Sequence, residues 1–99
     1  MSYKLSVKAA DDIEQIWLYS LENWSLEQAD RYVNLILDEI EHVAAHPDSG
    51  KDFSHVRINY RCAKVKSQLI FYRQSDNKAD IEVIRVLHQR MDIEDRLSD

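Results

Sequence analysis

One cysteine, one glycine and one proline in 99 residues exclude whole classes of protein. Cys62 has no second cysteine to pair with inside the chain. Its neighbours are strand-like and apolar, so it reads as a small core residue and not as a nucleophile. The lone Gly50 cannot build a phosphate-cradling loop, and neither a GxSxG elbow nor a CxxC pair occurs. The four histidines, His42, His46, His55 and His88, are scattered, and none stands in a helical pair with a carboxylate as in HExxH. No metal and no cofactor is expected. No apolar run approaches the ~18 residues of a membrane span, and residues 1 to 7 lack the apolar core of a signal peptide. A cytoplasmic protein with no membrane partner is the expectation.

Positive charge is also scarce overall. The formal net charge of −5 argues against general or direct sequence-specific nucleic-acid binding, because phosphate contacts dominate such binding and need a basic surface. The charge is unevenly placed, however. Residues 1 to 46 carry nine acids and three bases, net −6, whereas residues 57 to 90 carry eight bases and three acids, net +5. This segregation suggests two different surfaces, one acidic and one basic.

What the chain does have is periodicity. With 44% hydrophobic residues it is apolar enough for one globular domain over residues 1–99. Tyr3, Leu5 and Val7 alternate with polar residues, the pattern of a short first strand. Ala9, Ala10, Ile13, Ile16, Trp17, Leu21 and Trp24 then recur at helical spacing, with Ser20 on the same side and Asp11, Asp12, Glu14, Gln15 and Glu22 facing water. Ser25 to Gln28 fits a capping box that opens a second helix. Its stripe is Leu26, Ala29, Val33, Ile36, Leu37, Ile40, Val43 and Ala44, and it ends before Pro47. On this helix, four-residue spacing predicts surface support from the pairs Glu27 with Arg31 and Asp38 with His42.

Three further strand-like runs follow a polar loop at 51–55 that Phe53 pins to the core. In the first, Val56 to Val65, the residues Val56, Ile58, Tyr60 and Cys62 share one side. The others are Leu69 to Arg73 and Ile81 to Leu87, both rich in β-branched and aromatic residues. The polar links 66–68 and 75–80 suit hairpins, so an antiparallel meander is predicted. The fold class is therefore α+β, in the order β-α-α-β-β-β. A helical hairpin packs on one face of a small, mostly antiparallel four-stranded sheet, and the other face stays partly open. Because the last strand is apolar on nearly both faces, the first strand is placed outside it.

Two surfaces follow from the residues. Leu18, Tyr19 and Leu35 fall off the main helical stripes and form a candidate protein-contact patch. The basic sheet face ending at His88 and Arg90 is able in principle to hold a phosphate and supply a general acid, as in metal-free RNA cleavage.

The chain resembles the ParE toxins of bacterial toxin–antitoxin pairs, within the wider RelE/ParE superfamily. The likeness runs through Leu5-Ser6, Ile13 to Trp17, Trp24 to Tyr32, His46 to Lys51, Val56-Arg57, Tyr60-Arg61 and Ile70 to Arg73. It is most specific from Ile81 to Asp92, ending in Val86-Leu87-His88-Gln89-Arg90-Met91-Asp92. The resemblance implies a non-enzymatic inhibitor of DNA gyrase, held silent by a ParD-like antitoxin in a hetero-oligomer. On this reading Arg73, Arg85, His88, Arg90 and Met91 contact gyrase, while Leu18, Tyr19, Leu35, Arg57 and Arg61 contact antitoxin. Two alternatives stay open. One is a ribosome-dependent endoribonuclease like the sister RelE branch, with Arg61, Lys64, Arg73 and His88 as its candidates. Against it stand Ser67-Gln68, where a phosphate-binding arginine is expected, and four acids in the tail after Arg90. The other is a non-toxic relic that still binds antitoxin.

Overall fold

The computed structural model describes residues 2–75 and 80–98. The elements are β1 (Ser2–Leu5), α1 (Val7–Asn23), α2 (Leu26–Ala45), one 3₁₀ turn (Pro47–Ser49), β2 (Lys51–Asp52), β3 (Arg61–Val65), β4 (Gln68–Gln74), β5 (Asp80–His88) and α3 (Ile93–Ser98). Both long helices begin at a serine in extended geometry whose hydroxyl accepts an amide three residues on: Ser6 from Ala9, and Ser25 from Gln28. Each cap satisfies one of the donors that a helix start otherwise leaves open. Glu27 and Arg31 do pair across one turn of α2, at 3.3 Å.

The sheet has five strands in the order β1-β5-β4-β3-β2. β3, β4 and β5 form the expected antiparallel meander, and β1 lies parallel to β5 on its outer side, from Ser2 opposite Asp80 to Leu5 opposite Val83. The hairpin link expected at 75–80 falls largely on residues 76–79, which lie outside the described residues. At the other hairpin, Lys66 turns the chain with φ 55°. β2 is the additional strand: two residues of the predicted polar loop pair with Arg61 and Cys62.

The sheet is covered on both faces, which corrects the expected open face. The α1–α2 hairpin packs Ile36, Ile40 and Val43 against Ile70, Tyr72, Ile81 and Val83. The opposite face gathers Cys62, Phe71 and Leu87 under Leu97 and Ile93 of α3, with Phe53, Val56 and Tyr60 alongside. The strand predicted from Val56 is shorter than its alternation suggested. Residues 54 to 59 are turns, Asn59 has φ 65°, and Ile58 is 79% exposed. The alternation there is that of a loop folded over the sheet, with its own bonds from Val56 N to Phe53 O and from Tyr60 N to Arg57 O.

Asp12 departs from its expected water-facing position. Its carboxylate accepts from Arg85 Nε at 2.8 Å, from Arg85 Nη2 at 3.0 Å and from the Val86 amide at 3.0 Å. β1 has ended at Leu5, so this carboxylate of α1 occupies an edge position of β5 that a longer strand would fill.

Candidate functional site

A groove of about 480 Å³ opens between α1 and the far ends of β4 and β5. Tyr19, Trp24 and Met91 stand at its rim, 62%, 59% and 42% exposed, and His88 and Gln68 line it. Tyr19 and Trp24 meet edge to face, with ring centres 6.3 Å apart and planes at 87°. That geometry suits aromatic quadrupoles and holds both rings in place. Trp24 was expected on the buried stripe of the first helix. It is instead the residue that ends α1, with φ −129° and ψ −94°, so helical periodicity no longer governs its direction. Leu26, counted on the buried stripe of the second helix, is also open, at 56% exposed. It belongs to the first turn of α2, before that helix meets the sheet.

His88 closes β5, and its Nδ1 accepts from the Arg90 amide at 3.1 Å. The neutral ring then carries its proton on Nε2. Gln68, the register partner of His88, is buried in the same groove.

A second recess, of about 490 Å³, lies at the opposite end of β4, and Asp48, Asp52, Arg61, Tyr72 and Arg73 line it. Arg61 donates to the Gly50 carbonyl at 2.8 Å and stands 3.9 Å from the Asp48 carboxylate. Arg73 pairs with Glu82, its neighbour across the strands, at 3.0 Å. Hydrogen bonds from the Ser54 hydroxyl and amide hold the Asp52 carboxyl below the usual carboxylate range. Burial pushes the Tyr72 hydroxyl above the ordinary tyrosine value. Its oxygen accepts the Gly50 amide and donates to the Pro47 carbonyl, each at 2.9 Å.

The proposed site residues therefore divide among several places. Tyr19, His88 and Met91 share the groove, while Arg61 and Arg73 share the second recess. Lys64 lines neither and is exposed on β3. Along β4, the partners of His88 and Arg61 are Gln68 and Tyr72, four residues or roughly 13 Å of strand apart. Arg57 donates to the Leu97 carbonyl at 3.2 Å, tying the loop to α3. Arg85 is largely buried, at 12% side-chain exposure, and joins Asp12 of α1 to the Arg96 carbonyl of α3. Leu18 is half-buried on α1, Leu35 is 39% exposed on α2, and Arg90 is exposed beyond β5.

Asp12, Trp24 and Leu26 are residues that periodicity misplaced. For Trp24 a signal was available, since it immediately precedes the Ser25 cap and so lies outside both helices. For Asp12 there was none, because its partner is 73 residues away in sequence.

Comparison with known proteins agrees with this architecture. Residues 3–93 match the family model described as the ParE toxin of type II toxin–antitoxin systems, parDE. The protein named Toxin ParE1 from Caulobacter vibrioides is 39% identical over 89 residues, covering 90% of each chain. Toxin ParE1 from Mycobacterium tuberculosis is 36% identical over 95 residues, covering 96% of each. A solved chain titled as a chromosomal ParDE TA system from P. aeruginosa superposes with a TM-score of 0.75 over 89% of this chain and 95% of that one. At 20% identity this match speaks to the fold.

Proposed function

Since the chain belongs to the ParE toxin family of type II toxin–antitoxin systems, we propose that it acts by binding and inhibiting DNA gyrase, without covalent chemistry, and that a ParD-like antitoxin neutralises it. The observation that carries the non-enzymatic reading is the dispersal of the groups RNA cleavage would need. Arg61 and Arg73 bond to a carbonyl and a carboxylate at one end of the sheet, His88 stands at the other end, and Lys64 stands apart from both. A phosphate entering beside Arg61 and Arg73 would also meet Asp48 and Asp52, and like charge repels it. What the surface offers instead is apolar and aromatic: Tyr19, Trp24 and Met91 around one groove, the composition typical of protein contacts.

Arg73, His88, Arg90 and Met91 are the proposed gyrase contacts, with Arg85 acting from behind through its tie to Asp12. Leu18, Tyr19 and Leu35, with Arg57 and Arg61 on the sheet side, are proposed to meet the antitoxin in a hetero-oligomer. Among the described residues no helix is long and apolar enough to cross a membrane, which fits action in the cytoplasm. The test is a gyrase supercoiling reaction with purified protein. Inhibition that disappears in Met91→Ala and returns to zero when antitoxin is added supports the reading. Unimpaired supercoiling at micromolar excess refutes it. Codon-linked mRNA cuts in expressing cells would establish the ribonuclease reading instead, and undisturbed growth on induction without antitoxin would establish a relic.

A further inference from the structure

At the end of α2, His42 and His46 stand one helical turn apart, with ring centres 5.1 Å apart and planes tilted by 51°. The His46 amide donates to the His42 carbonyl at 2.9 Å, so the backbone between them keeps its helical bond although His46 itself has left helical geometry. Both side chains are exposed. The sequence alone reads the four histidines as scattered over different elements, with no HExxH pair, so that no metal is expected. The structure corrects the scatter for His42 and His46, which lie together at the end of α2. The glutamate of HExxH, absent between them, bears on catalysis, not on ligation.

We propose that His42 and His46 chelate one divalent transition-metal ion of the Cu²⁺, Ni²⁺ or Zn²⁺ class at the C-terminal end of α2, with water in the remaining positions. The geometry carries this. An imidazole nitrogen sits ~2.1 Å from such an ion, which places each ring centre roughly 3.2 Å from it and two rings at a tetrahedral angle roughly 5.2 Å apart. The observed separation of 5.1 Å matches that spacing, and rotation of the two exposed side chains brings one nitrogen of each ring onto the ion. The carbonyl end of a helix also carries partial negative charge, which favours a bound cation. Among the described residues no cluster of three or more ligating side chains is present, so the site is open, and a metal held there keeps positions that water fills. Borderline ions suit imidazole, with Cu²⁺ held more tightly than Ni²⁺ or Zn²⁺.

Calorimetric titration of the untagged protein with CuCl₂, NiCl₂ and ZnCl₂ at pH 7.5 tests the site. One ion per chain is expected, and His42→Ala and His46→Ala are each expected to weaken binding about tenfold or more, whereas His55→Ala leaves it unchanged. Saturating Ni²⁺ should raise the melting temperature of the wild type and not that of His42→Ala, because a ligand binding only the native state stabilises it. Circular dichroism of His42→Gln keeps the test independent of any loss of fold. Cu²⁺ should broaden amide resonances around residues 42–46. Undiminished affinity in folded His42→Ala, or broadening centred elsewhere, overturns the proposal.

Discussion

Replacing Asp12 by alanine tests how the two halves of the molecule are joined. The Asp12 carboxylate holds three bonds, two to Arg85 and one to the Val86 amide, and the two side chains are 13% and 12% exposed. Deleting the acid leaves a guanidinium in a largely dry site, which costs about 3–5 kcal/mol in buried pairs. Arg85 keeps its bond to the Arg96 carbonyl at 3.3 Å, so the lower end applies, about 3 kcal/mol. For a chain of this size that is a drop of roughly 12 °C or more in melting temperature, out of a total stability of about 5–15 kcal/mol. Urea unfolding followed by circular dichroism reads the difference directly. The double variant Asp12→Leu with Arg85→Met should recover about 2 kcal/mol or more relative to the sum of the single variants, because no charge is then stranded. A loss below about 1 kcal/mol for Asp12→Ala, or strict additivity in the double variant, would show that the pair is solvated and that this account of the joint is wrong.

Four further outcomes follow from single observations. Tyr72→Phe removes the acceptor of the Gly50 amide and should cost about 1–3 kcal/mol in the same urea assay. Gly50→Ala should cost a comparable ~1–3 kcal/mol, because its new Cβ would lie 2.2 Å from the Tyr72 hydroxyl. Burial pushes the Cys62 thiol up from 9.0 to about 11. The folded chain then keeps a proton that the unfolded chain loses, so stability is intact below pH 9 and falls as pH rises through 9 to about 11. Cys62→Ala should flatten that alkaline limb, and native protein should react slowly with a thiol reagent at pH 8. Ser25→Ala should cost about 1 kcal/mol of stability, read as a lower urea midpoint, since the Ser25 hydroxyl holds the Gln28 amide.

The elements that were legible in the sequence are those fixed by local rules. The cap at Ser25, the end of α2 before Pro47, the apolar stripe of α2 and the three meander strands all depend on residues within a few positions of each other. The placement of β1 beside β5 is a long-range pairing, yet it was legible from β5 alone, because a strand apolar on both faces needs neighbours on both sides. What was not legible depends on contacts far apart in sequence. The run from Val56 to Tyr60 alternates like a strand, yet residues 54 to 59 are turns, and the segment folds over Phe71 instead. The acidic tail gave no strong helical signal of its own. α3 forms where Leu97 and Ile93 find the sheet's second apolar face, and packing supplies what propensity does not.

The charge segregation acquires a different meaning once these contacts are placed. The basic stretch from residue 57 to 90 is largely spent on internal ties: Arg57 to the end of α3, Arg61 to the Gly50 carbonyl, Arg73 to Glu82, and Arg85 to Asp12. Lys64, Lys66 and Arg90 remain exposed. A surface that binds a polyanion keeps its cations free to displace counterions. Here four arginines are bonded within the chain instead, Arg73 to the neighbouring strand and Arg85 as a planar fork that joins α1 to α3, a role that guanidinium geometry suits and a lysine ammonium would not fill. The acidic and basic halves meet most closely at Asp12 and Arg85, and the groove that carries Tyr19, Trp24 and Met91 is lined in part by that same Asp12. The joint between the halves is therefore also part of the proposed contact surface. Loosening it should disturb partner binding even with every rim residue intact.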